Sequence, residues 1–445
     1  MLRAFLILLV ALMGRHARTE PVAGTSNAPL EEVTAHSILT NAMIELTLPD
    51  DSLLKQTAAQ ASDFSTNMPQ GEARARLDVW LASKPHAFAR VSQGLAVGRL
   101  QFPGYRLSDL SAIDVLGFSQ VSKLKCILGR IHAEQGRPGD ALREFLDVVN
   151  LGRMIMDGKG VLIHYVVGLS VQARGLAGIR WLAAQKEVTP AVLQQILDNV
   201  PPAPPADPGL AEVYRNEFIN FSVPWLHKLA ADAADPTNQF PVAISRILDV
   251  PHAVGLQKQF HERLAANALK PWPMRDRTIE SDAKNLAKIP GLTNAEEFVW
   301  LLMSGSYQTG LDNDTARKWK NLESLGEKEP DILGRILAGE ISDHLNRSVY
   351  IRTEINMTRT LAALRMHQRA TGDWPESLHA IETRTFSSAM SPDLFTGKPL
   401  LYSREKRLLW SAGPDEHDDG GDPETDMVLN LADERFLITR AVLTK

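Results

Sequence analysis

Seven carboxylates fall within twelve residues near the C-terminal end of the chain: Asp415, Glu416, Asp418, Asp419, Asp422, Glu424 and Asp426. Gly420 and Gly421 sit among them, and glycine lets a backbone turn sharply enough to bring such side chains together. Calcium takes roughly six to eight oxygen ligands from carboxylates and backbone carbonyls in a flexible ring, which a loop of this composition can supply. The expected cofactor is therefore a structural Ca2+, with Asp415, Asp418, Asp419, Asp422 and Asp426 as candidate ligands. The same composition also describes a solvated acidic turn that holds no metal. Zinc is disfavoured, because His417 is alone in the cluster and no cysteine accompanies it. The catalytic alternative is a metal-dependent hydrolase, in which these carboxylates, with His417, converge on a pocket beside an open coordination position.

The rest of the chain offers no catalytic pattern. It has no Gly-rich phosphate loop, G-x-S-x-G elbow, H-E-x-x-H pair or EF-hand. His252 and His261 are nine residues apart rather than four, and Glu212 and Glu217 are five apart, so neither pair shares a helix face cleanly. His164 stands alone in an apolar helical stretch and reads as a satisfied core residue. Cys126 is the only cysteine, which rules out an intrachain disulfide and a Cys-based metal or dithiol site; it reads as a small buried hydrophobe. No catalytic residue is expected, and the chain reads as a non-enzyme. A net charge of −5 over 445 residues, with no basic run or stripe, excludes nucleic acid as a partner.

The elements that must carry the acidic loop are mostly helical. Residues 1–18 place Arg3 before an unbroken apolar run from Ala4 to Met13, the form of an export signal peptide or, if uncleaved, an N-terminal membrane anchor. The polar stretch 19–30 is a tether, and helical periodicity then dominates 31–200. Within it, 121–156 reads as a helix-turn-helix hairpin that resembles one tetratricopeptide repeat, with Gly129 and His132 on the first helix, Gly136 at the turn, and Ala141, Phe145 and Val148 on the second. The apolar stretch 161–184 is interrupted by Gln172, Arg174 and Arg180 and reads as a buried helix, not a membrane span. Prolines at 201–208 separate a second helical block, 209–335. A long helix is expected from Ser342 to Ala370, its intervening arginines facing solvent, with Gly372 as its stop. Leu400–Ser403 and Leu408–Ser411 then read as a β-hairpin, and 432–445 as a C-terminal tail.

The order of that last section, a long helix followed by G-D-W-P-E-S-L at 372–378, P-D-L-F-T-G-K-P-L-L-Y at 392–402 and W-S-A-G-P-D-E-H-D-D-G-G-D-P-E-T-D at 410–426, resembles the globular domain of the major pseudopilins of type II secretion. The resemblance spans 342–431 and implies a small α+β module whose acidic loop binds calcium through positions matching Asp415, Asp422 and Asp426, with carbonyls near Trp410 and Ser411. The whole chain also resembles exported bacterial proteins that set a helical region before such a module. Leu394 stands where the family has proline, and residues 320–345 are too charged for a pilin assembly helix. The expected fold is mainly α: a helical-hairpin, α-solenoid-like body followed by a small α+β pseudopilin-like module. The expected role is that of a non-enzymatic exported protein of the periplasm or cell envelope that binds a protein partner through its helical body. A secretion-system or pilus-associated accessory component is the variant of this reading.

Overall fold

The computed structural model describes residues 34–102, 112–234, 248–286, 344–382 and 391–439, with Arg317 and Ser324 as isolated helical positions. The signal or anchor at 1–18, the tether at 19–30, the helix expected around Ala295–Leu302 and the last residues of the tail, 440–445, lie outside the described residues. The chain is mainly helical with a small α+β module at 344–439, as expected, and that module carries a four-stranded antiparallel sheet where the sequence showed only a hairpin.

Four short helices come first: α1 (Ala35–Glu45), α2 (Ser52–Ala61), α3 (Gly71–Ala82) and α4 (Pro85–Ala96). Thr34 and Asp51 cap the first two, each side-chain oxygen accepting a backbone N–H that the helix cannot satisfy itself. They cover a sheaf of longer helices, α5 (Ala112–Glu134), α6 (Pro138–Asp157) and α7 (Leu162–Ala184). The hairpin expected at 121–156 is the α5–α6 pair, turning at Gly136, whose φ of 71° is left-handed. A Cβ on Gly129 would stand 2.4 Å from the Phe145 ring, so the glycine is what lets that ring fill the seam. Along α6–α7, Cβ atoms on Gly152 and Gly175 would come within 2.7 Å of opposing backbone nitrogens, which fixes an unusually close antiparallel approach. Helix α7 is long and apolar enough to cross a membrane by composition, but 67% of its apolar window is buried inside the protein, which makes it a core helix. His164 lies in that core with its ring 4.2 Å from the Phe102 ring.

Helix α8 (Pro190–Asn199) is followed by the proline stretch and then by α9 (Pro208–Glu217), a π-turn at Phe218–Ser222, and α10 (Val223–Ala234). The described part of the second block closes with α11 (Val250–Ala268), a 3-10 turn at Trp272–Met274, and α12 (Thr278–Leu286).

The long helix expected at 342–370 is α13 (His344–Thr371), and Gly372, at φ 86°, returns its N–H to the Gln368 carbonyl to end it. Its environment corrects the expectation that its arginines face solvent: Arg352, Arg359 and Arg365 are all buried. They are buried because the middle of α13 runs between the helical body, where it meets α7 and α8, and the C-terminal sheet, so that no face is left for water there; nearer the ends, Arg347 is half-buried and Arg369 exposed. A short helix α14 (His379–Glu382) leads to β1 (Leu401–Ser403), β2 (Leu408–Ser411), β3 (Met427–Asn430) and β4 (Ile438–Thr439), paired in chain order. The predicted hairpin is β1–β2, with Tyr402 opposite Leu409. Strand β4, inside the stretch expected to be a tail, pairs Ile438 with Leu429 and closes the sheet.

Candidate functional site

The acidic loop joins β2 to β3, so its ends are fixed by the Ser411–Met427 pair of the ladder. Most of its carboxylates shape the loop itself. Asp415 accepts from the His417 N–H at 3.1 Å and Asp422 from the Glu424 N–H at 3.0 Å, the local turns that aspartate favours. Asp418 accepts from the Trp410 indole at 2.9 Å and from the Gly420 N–H at 2.9 Å. Asp426 is fully buried; its Oδ2 accepts from the N–H groups of Gly421 and Asp422, while its Oδ1 has no hydrogen-bond partner. Burial raises the pKa of Asp426 against the pull of those two backbone donors, and the charges of Asp419 and Asp418 raise it further. Asp418, Asp419 and Asp426 thus feel one another, whereas Asp415 and Asp422 are engaged in turns. His417 is exposed, 3.8 Å from Asp419. Trp410 is paired on both sides, with Leu401 and Val428, so its backbone serves the sheet. Among the described residues, no three His, Cys, Asp or Glu side chains are grouped to hold a metal ion.

Two features of the loop went unread in the sequence. The first is Asp393, 1% exposed, which accepts from the N–H groups of Phe395 and Ala412 and from the hydroxyls of Thr396 and Ser411. It ties the 392–399 turn to the end of β2 and so sets where the acidic loop begins. Burial raises its pKa, and the four donors pull the other way. The Asp-x-x-Thr spacing of Asp393 and Thr396 was the available signal, since that pair forms a side-chain-closed turn. The second is a contact with the helical body: Arg277 meets Glu416 and lies 4.3 Å over the Trp272 ring, while Trp272 stands edge-on to Phe395 of the module. Glu416 has φ 64°, a conformation uncommon for a residue with a side chain, and from it the side chain pairs with Arg277.

The seam along α13 is polar. Arg359 donates to the carbonyls of Leu197 and Val200 at the end of α8, and Arg365 to those of Ala183 and Ala184 at the end of α7. Arg130 does the same at the end of α2, reaching the carbonyls of Ala61, Asp63 and Thr66. The last carbonyls of a helix lack internal partners and carry partial negative charge, so a buried guanidinium satisfies both needs at once. Arg180 of α7 pairs with Glu354 at 3.2 Å, both nearly sealed from water. Asn356 holds the proline stretch through the Ala203 N–H and the module through the Pro392 carbonyl. The 201–208 segment is therefore bonded to α13 rather than free between two blocks.

Of the residues set aside in the second helical block, Glu217 and His261 are buried, whereas Glu212 and His252 are exposed. Glu217 accepts from the Leu162 N–H at 2.7 Å, and burial pushes its pKa up to about 7. His261, 5.6 Å from the Phe218 ring, contacts the Gln257 carbonyl through Nδ1, and burial holds its pKa down at about 4. Cys126 is buried, and burial raises its thiol pKa to about 12, so it is a core hydrophobe and not a reactive thiol. Compared with known proteins, the chain matches no family profile, no curated protein and no solved structure.

Proposed function

We propose that this is a non-enzymatic protein of the bacterial cell envelope whose helical body engages a protein partner and whose C-terminal module is a calcium-stiffened latch on that body. The observation that carries this reading is the tie between Glu416 in the acidic loop and Arg277 in the helical block, beside the Trp272–Phe395 contact. Ordering the loop would, through that tie, order the body. Asp426 supports calcium because its Oδ1 is buried without a donor, and a cation nearby would replace the missing partner. The charges of Asp419 and Asp418 act on Asp426, so a cation beside it would also offset their repulsion. The pseudopilin-like order of motifs supports a place among secretion-system or pilus-associated accessory proteins, and the tetratricopeptide-like spacing of the α5–α6 hairpin supports a partner surface on the body. The apolar run at 4–13 supports export.

Calcium titration of the purified chain, followed by calorimetry and melting, tests the latch. Binding should raise the melting temperature by mass action and should vanish in Asp426→Asn. No heat of binding at millimolar calcium would end the metal reading. Capture from envelope extracts, with calcium and with chelator, tests the rest: one partner should be recovered in calcium and lost in chelator, and recovery of none refutes the scaffold role.

A further inference from the structure

A groove of about 660 Å³ lies between the outer face of α6 and residues 200–209, with α7 and α13 beneath it. That volume falls in the range of small-molecule sites, roughly 300–1,000 Å³. One wall carries Leu146, Met156 and Leu169; the other carries Pro201, Pro202 and Pro204, which have no N–H to offer a ligand. Arg352 lines its inner end.

A buried donor at that end is left without an acceptor. Arg352 donates through Nη2 to the Pro204 and Ala206 carbonyls, but its buried Nη1 makes no hydrogen bond and stands 3.7 Å from Asp207 Oδ2. Arg275, which does not line the groove, is equally buried; its Nε reaches the Lys270 carbonyl at 3.1 Å and both terminal nitrogens have no hydrogen-bond partner. Burial, and then the charge of Arg352, bring the Arg275 guanidinium down to about 10, so the two cations are close enough to repel. Asp207 is the carboxylate between them, and its oxygens already accept from Tyr165, Ser348 and the Leu210 N–H. Of the other charged groups that line the groove, Asp147 pairs with Lys125 at 2.7 Å, Arg143 with Asp140 at 3.2 Å, and Arg153 bonds Asn150 at 2.7 Å; Asp157 feels both Arg153 and Asp207. Arg352 therefore brings to the groove a buried guanidinium nitrogen with no hydrogen-bond acceptor, and a buried donor left so is costly until an anion arrives.

We infer that the groove binds a small amphipathic carboxylate, its head group at the Arg352 end and its apolar chain between the Leu146 wall and the prolines. A bare inorganic anion would leave those walls unused, and a cationic head group could not accept from Arg352 Nη1. The site shares no residue with the acidic loop, so it stands apart from the calcium reading.

Calorimetry of the full chain with decanoate, decyltrimethylammonium and inorganic phosphate tests this. Decanoate should bind one to one, with the cationic amphiphile and phosphate each at least about tenfold weaker. Arg352→Met should weaken decanoate by about tenfold or more, and so should Leu146→Glu, a change at a half-buried wall position that leaves the polar floor intact and whose fold is checked by melting. Equal binding of both amphiphiles would mark a nonspecific apolar surface and overturn the proposal. So would phosphate binding more tightly than decanoate, decanoate binding undiminished in a folded Leu146→Glu chain, or no decanoate binding at millimolar concentration.

Discussion

Replacing Glu217 by glutamine should make the protein more stable at alkaline pH and leave it nearly unchanged near pH 5. Glu217 is 5% exposed, and burial raises its carboxyl from an ordinary 4.5 to about 7. A carboxyl with a raised folded pKa favours folding fully below about pH 4.5, and that contribution is lost as pH rises through about 7. At about 1.36 kcal/mol per pH unit between the two values, ionising the buried group costs about 3 kcal/mol at pH 8 and under about 1 kcal/mol at pH 5. Glutamine keeps an oxygen that can accept the Leu162 N–H but cannot ionise, so Glu217→Gln removes the cost. An unfolding entropy of about 2.1 cal/mol/K per residue gives about 0.9 kcal/mol/K for a 445-residue chain melting as one unit, so the gain should read as about 3 °C in Tm at pH 8. The assay is a pair of calorimetric melts, parent and variant, at pH 5 and pH 8. The difference between the two chains cancels the titration of groups such as His261, whose depressed pKa favours folding above about 6.5 and loses that contribution as pH falls through about 4. A Tm difference that does not grow between pH 5 and pH 8 would refute the reasoning.

Three further outcomes follow from the same geometry. Arg365→Met should destabilise the protein by about 2–4 kcal/mol in chemical denaturation, because it strands the Ala183 and Ala184 carbonyls and removes a guanidinium stacked on Trp374 and Phe436. Asp393→Asn should cost about 2–4 kcal/mol and speed amide exchange in β2, since an amide nitrogen cannot accept from Ala412 and Thr396; an unchanged exchange pattern would deny Asp393 its organising role. Arg277→Ala should move overall stability by no more than about 1 kcal/mol, because its pair with Glu416 is solvent-exposed, yet should speed exchange of the 413–421 amides.

The α5–α6 hairpin and the extent of α13 could be read from the sequence because both depend on neighbours within a few residues: apolar spacing, Gly136 at a left-handed turn, Gly372 at a helix end. The surroundings of α13 could not. An arginine every six or seven residues reads as solvent-facing, and the carbonyls that Arg359 and Arg365 satisfy lie more than 150 residues earlier in the chain. Strands β1 and β2 are as short as β3 but lie four residues apart and read together as a hairpin, whereas β3 is separated from β2 by the acidic loop and β4 has only two residues, so both depend on the partner strand for their identity. The acidic loop was legible as a place but not as an arrangement. Its composition drew attention to every aspartate alike, whereas the fold uses Asp415 and Asp422 as turn formers and leaves only Asp426 with a buried oxygen to satisfy.

The polarity of α13 has a structural use that an apolar helix would lack. Leucine or valine faces can slide past one another by a turn with modest loss, because dispersion contacts have little direction. Arg352 and Arg359, two turns apart on one face, reach separate sets of carbonyls, at Pro204 and Ala206 and at Leu197 and Val200, while Asn356 between them bonds both the proline stretch and the Pro392 turn. A shift of one turn, about 5.4 Å, would orphan all of these groups together, at a cost of about 1–3 kcal/mol for each buried one. The seam thereby admits one register between the helical body and the module. That register puts Phe395 against Trp272 and the acidic loop within reach of Arg277, so the position of the loop on the body follows from bonds made along α13.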